Sequence, residues 1–415
     1  IMAELRQNTW SLDEWYDQNV AGTSGGYQFG GYQYAQGGSN MRYLLNAPGP
    51  SSRRSSPVLV NGGSGEWQFV KYQRGIKKDG SLWAWGNNNN GELGQGQSKN
   101  QLDSVSSPIQ IGTNTTWKYI TGFINNYAIK GDNTLWTWGR GTHGSLGLNQ
   151  GGSLIRISSP TQIPGSWATI STGDESGFQT TLGTKTDGTL WSWGYGGNGG
   201  LGLGNRTQRS SPTQVGTDTS WSTNTSDPAA RQTVDVGVGC QFAIKANGTL
   251  WSWGSGNQGQ LGKGSQPANY NRSSPVQVGT ETTWKSIHAQ NSATGIRCVF
   301  STKTNGTLYA WGANTHGGLG QNNRTTYSSP KQIPGTTWTS ATYGISEKGH
   351  FMNIKTDGTY WTWGQNYFGT LGLNQSGYPN QKSRSSPTQV GTDTTWFATG
   401  AHSELIWALR HDSGT

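Results

Sequence analysis

The apolar residues of this chain fall in short runs separated by polar turns. Trp, Leu, Ile and Val occupy the runs, whereas glycine and asparagine fill the segments between them. Outside residues 3–18, no run keeps a helical period for more than a turn or two. The pattern therefore predicts an all-β protein built from short strands.

One strand pattern recurs six times and combines an aromatic pair, two positions apart, with a following glycine. Another glycine comes eight residues after the first in every copy, as in Gly86 and Gly94. Self-similarity at a spacing of about fifty residues indicates a repeat architecture. The six copies are Leu82–Gly86, Leu135–Gly139, Leu190–Gly194, Leu250–Gly254, Leu308–Gly312 and Tyr360–Gly364.

Two further elements follow the same repeat. Asp-Gly or Asn-Gly stands before several of the aromatic pairs, as at Asp187-Gly188, and predicts a tight hairpin with positive φ at both central residues. Ser-Ser-Pro occurs seven times, and each copy is followed by a β-branched run and a lone tryptophan. These tryptophans are Trp67, Trp117, Trp167, Trp221, Trp284, Trp338 and Trp396.

The seventh repeat is divided between the two ends of the chain. The C-terminal residues from Ile406 resemble the apolar strand and turn of a repeat, and Tyr27–Phe29 stand where its aromatic pair is expected. We therefore expect the strand near Trp407–Leu409 to pair with the strand near Tyr27–Phe29. Such pairing would close a ring of sheets and remove its exposed edges.

Together these motifs resemble the regulator-of-chromosome-condensation repeat. The resemblance implies a seven-bladed β-propeller of four-stranded blades over residues 27–415, with N- and C-terminal strands sharing one blade. Residues 1–26 lie outside it as a short N-terminal arm and linker. Because propellers support many unrelated activities, the resemblance predicts the fold more specifically than the function.

Composition excludes several classes of protein. The chain has 65 glycines and 12% charged residues, but its glycines have no three-residue period and its 21 tryptophans recur in register. It is therefore neither collagen-like nor disordered. The chain contains no run of eighteen apolar residues, so no membrane span is predicted. Ile1–Asn19 lacks the apolar stretch of a secretory signal.

Most of the unusual residues are expected to build the scaffold. The spacing of each aromatic pair puts both rings on one face of a strand, where they pack between blades, with glycan stacking as the less favoured role. Cys240 and Cys298 occupy equivalent positions in neighbouring blades, too far apart for a disulfide, and are expected to be buried free thiols.

No residues show the spacing of a catalytic, metal or cofactor site. His143 and His316 share one repeat position that Phe368 occupies in another blade, so they are interpreted as loop residues. The other histidines have no Ser, Cys or carboxylate at motif spacing. We expect a protein that is not an enzyme and needs no cofactor or metal.

Arginine is the residue type that points to a ligand. The net charge is +9, and Arg immediately precedes Ser-Ser-Pro in four repeats, at Arg54, Arg209, Arg272 and Arg384. Ring symmetry would bring these four to one face, beside the loops that vary most in length. They are either solvated loop residues or a surface for an anionic partner, such as a host-surface glycan.

The arm carries the remaining prediction. Leu5, Trp10, Leu12, Trp15 and Tyr16 are apolar anchors ahead of a Gly/Ser-rich linker. They either pack on the propeller or dock on another protein. The arm and the regular repeats resemble those of bacteriophage virion proteins. This resemblance implies a tail-fibre or capsid-appendage protein, located in the virion, that binds a host surface or, through the arm, other virion proteins.

The alternative is an intracellular propeller scaffold, or the exchange-factor or chromatin-binding role of the repeat family. Nucleotide exchange on a small GTPase would need an acidic wedge that no segment here matches. Nucleic acid is not the expected partner.

Overall fold

The computed structural model describes most of the repeat region and little before it. The described residues are 32–37, 67–71, 73–122, 124–150, 155–173, 179–224, 233–264, 270–290, 297–339, 344–345, 349–366, 371–373, 383–402 and 405–411. Tyr27–Phe29 and residues 1–26 lie outside them. Within the described part, no helix is long and apolar enough to span a membrane.

The strands form six four-stranded antiparallel sheets and one three-stranded sheet. Counting β1 as Tyr32–Gly37, sheet 1 contains β2 Trp67–Lys71, β3 Arg74–Lys77, β4 Leu82–Asn87 and β5 Ser104–Gln110. Sheet 2 contains β6 Trp117–Thr121, β7 Asn125–Lys130, β8 Leu135–Gly141 and β9 Ile155–Ile163. Sheet 3 contains β10 Trp167–Thr172, β11 Thr180–Lys185, β12 Leu190–Gly194 and β13 Arg209–Gln214.

The later sheets repeat this order. Sheet 4 contains β14 Val234–Gly237, β15 Cys240–Ile244, β16 Leu250–Gly254 and β17 Arg272–Gln277, and follows a short 3-10 turn at Gly197–Gly199. Sheet 5 contains β18 Trp284–Ala289, β19 Cys298–Lys303, β20 Leu308–Gly312 and β21 Tyr327–Ile333. Sheet 6 contains β22 Gly344–Ile345, β23 His350–Ile354, β24 Tyr360–Gly364 and β25 Arg384–Gln389.

Sheet 7 joins the two ends of the chain. It contains β26 Trp396–His402, β27 Leu405–His411 and β1, in the order β1-β27-β26. Tyr32 lies opposite Ile406 and the two strands run parallel. The expected partner, Tyr27–Phe29, is thus replaced by a later segment, and a parallel pair replaces the expected hairpin arrangement.

The turns between the second and third strands hold three loop residues instead of two. In sheet 3, the Gly188 N–H donates to Lys185 O at 3.0 Å, and the Lys185 N–H donates to Thr189 O at 2.9 Å. The backbone φ angle is 80° at Gly188 but is not positive at Asp187. The prediction of positive φ at both central residues was therefore wrong, since a type I turn followed by a left-handed glycine needs it only once.

Tryptophan joins each of sheets 2–6 to the sheet before it. In these sheets the second indole of the aromatic pair is buried, and its Nε1 donates to a backbone carbonyl in the preceding sheet's loop, just before the leucine of Gly-x-Leu-Gly. The second rings therefore pack between sheets as predicted, whereas the first ring of each pair is half-exposed. The pairs are Trp138 to Glu92 (3.0 Å), Trp193 to Ser145 (2.9 Å), Trp253 to Gly200 (3.0 Å), Trp311 to Gln260 (2.8 Å) and Trp363 to Gly318 (2.7 Å).

Ser-Ser-Pro completes the same interfaces. A loop N–H of one sheet donates to the carbonyl of the first serine in the next sheet, as from Gly204 to Ser273 at 2.7 Å. The donor residue has positive φ in each of the five interfaces between sheets 1 and 6, and only glycine or asparagine occupies it. The donors are Gly96, Asn149, Gly204, Gly264 and Asn322.

The two cysteines behave as predicted. Cys240 begins β15 opposite Gly254, and Cys298 begins β19 opposite Gly312, so they hold equivalent places in neighbouring sheets. Both thiols are free and buried. Burial raises the pKa of Cys240 to about 12 and also raises the pKa of Cys298.

Candidate functional site

Each sheet has two chemically different ends. In sheet 3, Arg209 lies opposite Gly194 at the finish of the third strand, whereas Gln214 lies opposite Trp191 at its start. We call the first end, with the connections between third and fourth strands, the loop end. The opposite end, with the Asp-Gly or Asn-Gly turns, is the turn end. Because loop residues of sheets 1–5 bond to the fourth strand of the next sheet, these loop ends adjoin one another.

Three of the predicted arginines occupy one equivalent position at the loop end. Arg209, Arg272 and Arg384 each lie opposite the glycine that ends the third strand of their own sheet. Arg54 falls outside the described residues, as do the arm residues Leu5, Trp10, Leu12, Trp15 and Tyr16.

These arginine side chains are half-buried. Arg209 donates to the Gln208 carbonyl at 3.1 Å, and the guanidinium of Arg272 lies 3.6 Å from the Tyr270 ring centroid. Neither arginine forms an ion pair with a described residue. Val105, Ile157 and Tyr327 hold the same position in the other sheets, so the fold accepts an apolar side chain there.

Charge is distributed unevenly between the ends. In sheets 2–6, the segments from the glycine of the aromatic pair to the residue before Ser-Ser contain nine cations and no Asp or Glu. Sheet 1 differs, because its connection between the third and fourth strands carries two acids, Glu92 and Asp103, together with Lys99. The nine cations are Arg140, Arg156, Arg206, Arg209, Lys263, Arg272, Arg324, Lys382 and Arg384.

The turn end carries a lysine over two aromatic rings in each of sheets 1–6. In sheet 3, Lys185 Nζ lies 3.7 Å from the Trp191 centroid and 5.4 Å from the Trp167 centroid. A lysine precedes each of these turns in the sequence, but only the fold brings it to the rings. The other five are Lys77, Lys130, Lys245, Lys303 and Lys355.

A buried polar cluster joins the first strands of sheets 3, 4 and 5. Asp235 accepts hydrogen bonds from the Ser171 hydroxyl at 2.8 Å and the Ala289 N–H at 2.7 Å, and its carboxylate lies 3.6 Å from His288 Nδ1. Burial lowers the pKa of His288, although Asp235 acts to raise it. No sequence spacing could reveal this cluster, because its members lie in separate repeats.

The cluster lacks the geometry of a hydrolytic triad. The hydroxyl of Ser171 donates to the carboxylate, whereas nucleophilic activation requires a hydroxyl bonded to the imidazole. Among the described residues, no three His, Cys, Asp or Glu side chains group as a metal site. His143 lies in its loop as expected, with φ of 55° and its ring 5.1 Å from the Tyr195 ring.

Curated relatives share the repeat over part of their length. The chain is 26% identical over 265 residues to the Arabidopsis thaliana ultraviolet-B receptor UVR8, covering 62% of this chain and 54% of the relative. It is 26% identical over 301 residues to the mitochondrial RCC1 domain-containing protein RUG3 of the same plant, covering 71% and 63%. The chain thus spans less than two thirds of either relative.

Solved structures share the fold. Human WBSCR16 superposes with a TM-score of 0.63 at 18% identity, covering 87% of this chain and 92% of that structure. Prp20p of Saccharomyces cerevisiae superposes with a TM-score of 0.58 at 16% identity, covering 80% and 78%. Both support an all-β propeller of this type.

The repeat itself matches more than half of the chain. The matched segments are residues 79–121, 132–178, 187–244, 247–294 and 305–345. They contain the hairpins, aromatic pairs and glycine loops whose contacts join the sheets. The chain therefore belongs to the regulator of chromosome condensation (RCC1) repeat family.

Proposed function

We propose that this chain is a non-enzymatic binding protein whose loop end holds an anionic partner. The charge distribution carries the proposal, since nine cations and no acids follow the third strands of sheets 2–6. A positive surface on a rigid scaffold attracts an anionic ligand at long range and raises its rate of association.

The proposed setting is a bacteriophage particle, in which the chain is a tail-fibre or capsid-appendage protein. The propeller would bind an anionic host-surface glycan, and the arm of residues 1–26 would attach to other virion proteins. The regular repeats and the aromatic anchors of the arm, Trp10 and Trp15, support this setting.

We also propose that the seven sheets are the blades of one closed ring. The parallel pairing of β1 with β27 supports closure, since it places a strand from each end of the chain in sheet 7. Deletion of residues 400–415 should then lower the melting temperature sharply and promote aggregation, because sheet 7 would lose β27. Equal melting of the truncated and full chains would refute closure.

Ligand binding is tested by removing charge without removing packing. The variant Arg209→Ile, Arg272→Ile and Arg384→Ile copies the isoleucine that sheet 2 carries at this position, Ile157. The matched control replaces three exposed lysines elsewhere, Lys78, Lys285 and Lys331, by serine. Both variants lose the same net charge, so they separate a local surface from a general effect of charge.

Dextran sulfate and host-cell lipopolysaccharide are suitable probes in a binding titration. Wild-type affinity should fall as salt shortens the Debye length from about 10 Å to about 3 Å. The arginine variant should bind at least about tenfold more weakly, whereas the lysine control should lose much less. Equal losses in both variants, or binding insensitive to salt, would contradict the proposed surface.

The setting requires its own experiment. Mass spectrometry and immunogold imaging of purified particles should find the chain on the tail or capsid surface. Recovery of the chain only in host fractions, bound to a GTPase or to chromatin, would favour the alternative function.

A further inference from the structure

A groove opens between sheets 3 and 4 and extends from the turn end to Gly202–Gly204, in the connection between the third and fourth strands of sheet 3. It encloses about 460 Å³, within the range of about 300–1,000 Å³ typical of small-molecule sites. Sheet 4 contributes Trp221, Lys245 and Trp251 to its lining. The fourth strand of sheet 3 and the connection after it contribute Gln214 and Asp218.

The lining combines an aromatic surface with hydrogen-bonding groups. Trp251 is half-exposed, whereas Trp253, two residues later, is buried. The Trp251 Nε1 donates to the Thr249 hydroxyl at 3.0 Å and Lys245 Nζ lies over the ring, so a ligand in the groove can contact the part of the ring that these two groups leave exposed. Lys245 lies 4.4 Å from the Trp251 centroid and forms an ion pair with Asp218.

A pyranose ring fits this chemistry. Its C–H groups carry partial positive charge and favour the negative face of an indole, while its hydroxyls both donate and accept hydrogen bonds. The amide of Gln214 and the carboxylate of Asp218 supply acceptors, and the ammonium of Lys245 supplies donors.

The same three side chains recur in sheets 1–6. The fourth strand of each sheet places a glutamine opposite the half-exposed aromatic residue of its own third strand. For the glutamines of sheets 1–5, the next sheet contributes an aromatic residue and a lysine, as Trp251 and Lys245 of sheet 4 do beside Gln214. The glutamines are Gln110, Gln162, Gln214, Gln277, Gln332 and Gln389.

We propose that the groove between sheets 3 and 4 binds a pyranose ring of a polysaccharide, and that the equivalent side chains of the neighbouring sheets bind further rings. The proposal rests on the proposed function of a non-enzymatic binding protein, but uses the turn-end aromatic residues and lysines instead of the arginines. Repetition favours a polymer over a single sugar, because linked units that reach several grooves gain avidity without new contacts. The lysines of these sheets also differ in their ion pairs. Lys245 and Lys303 are ion-paired to Asp218 and Glu281, whereas Lys130, Lys185 and Lys355 form no ion pair with a described residue.

Indole N–H resonances of the 15N-tryptophan-labelled full chain provide the test. The probes are the methyl glycosides of glucose, galactose and N-acetylglucosamine, together with glucuronic acid, each at millimolar concentration. At least one probe should shift the resonances of the half-exposed residues Trp136, Trp191, Trp251 and Trp361. The buried indoles of Trp138, Trp193, Trp253 and Trp363 should shift much less, because they are bonded to the preceding sheet. Single Trp→Phe variants assign the signals.

A homopolymer of the responding sugar should bind at least about 100-fold more tightly than its monomer. Changing all six glutamines to alanine should weaken binding of the monosaccharide at least about fivefold. The spectrum of this variant without sugar should remain native-like, since the outer strands are partly exposed. No shift with any probe, or equal shifts in the buried and half-exposed sets, would overturn the proposal.

The arginine variant distinguishes this site from the proposed function. Arg209→Ile, Arg272→Ile and Arg384→Ile together should leave the sugar-induced shifts unchanged. If that variant abolishes them, the sugar binds at the loop end and the turn-end site is wrong. If the sugar-induced shifts are present but the wild-type chain does not bind dextran sulfate, the proposed anionic-ligand surface is wrong and the turn-end site is still supported.

Discussion

Asp235 should be one of the costliest single side chains to remove, because it joins three sheets. Its side chain is 11% exposed, and it accepts hydrogen bonds from Ser171 in sheet 3 and Ala289 in sheet 5. Hydrogen bonds to a charged group contribute about 1.5–3 kcal/mol each, and a buried donor that loses its acceptor adds a desolvation cost. Since the two bonds are not additive, Asp235→Ala should lower the free energy of unfolding by about 3–5 kcal/mol.

An exposed aspartate offers the matched control. Asp132 also accepts two hydrogen bonds, from the backbone N–H and hydroxyl of Thr134, but it lies in an exposed turn. Water can replace it there, so Asp132→Ala should cost no more than about 1 kcal/mol. Asp235→Asn, which keeps an acceptor oxygen but loses the charge, should fall between the two.

Urea unfolding followed by tryptophan fluorescence and by far-ultraviolet circular dichroism measures these differences. Coincident transitions from the two probes would justify a single free energy of unfolding for the chain. If Asp235→Ala costs no more than Asp132→Ala, the carboxylate does not join the sheets, and the reasoning from burial is refuted.

Three further predictions use other features of the sheets. Trp253→Phe should lower the free energy of unfolding by about 2–4 kcal/mol, because it leaves the Gly200 carbonyl without its indole donor. Trp251→Phe should lower it by less than about 1 kcal/mol. Equal losses in urea unfolding would contradict the role of Trp253 in joining sheet 4 to sheet 3. The folded chain should resist iodoacetamide at pH 8, since burial raises the pKa of both Cys240 and Cys298, and both thiols should react once unfolded; peptide mass spectrometry that finds a Cys240–Cys298 crosslink would falsify this. Burial lowers the pKa of His350 to about 3, so the folded state keeps it neutral while the unfolded state takes up a proton below its ordinary pKa of about 6.5. The stability that this residue contributes is therefore complete above pH 6.5 and is lost as pH falls toward 3, by up to about 1.4 kcal/mol per pH unit. The variant His350→Asn, which copies Asn125 of sheet 2, should reduce this pH dependence of the free energy of unfolding in urea titrations. An unchanged pH dependence would show that His350 is already protonated in the folded chain.

The repeat elements could be predicted because each depends on local geometry. The spacing of Trp251 and Trp253 places both rings on one face of a strand, and a left-handed turn conformation such as that of Gly188 favours glycine or asparagine. Contacts between repeats could not be predicted in this way. Asp235 meets Ser171 and Ala289 only because consecutive sheets adjoin. Within one sheet, Lys185 reaches Trp167 and Trp191 only because its strand lies between theirs.

The partner of β27 shows a different limit. The aromatic pattern favoured Tyr27–Phe29 and a hairpin-like arrangement, yet Tyr32–Gly37 pairs with β27 in parallel. An edge strand accepts any extended segment that can complete its backbone hydrogen bonds, so side-chain resemblance constrains it weakly. Sequence similarity to an internal repeat is therefore poor evidence for the register of a terminal strand.

The two ends of the sheets differ in why their charged residues are present. Asp187 and Asp357 hold turn threonines through two hydrogen bonds each, and those bonds hold the pKa of both carboxyls below its usual range. The fold therefore explains the acids of the turn end. It does not explain Arg209, because Ile157 fills the equivalent place and the backbone register is the same. An arginine that is interchangeable with isoleucine for packing contributes mainly its charge. That charge is repeated on adjoining loop ends with no acid among their third-to-fourth-strand connections, which makes those ends the first place to look for an anionic ligand.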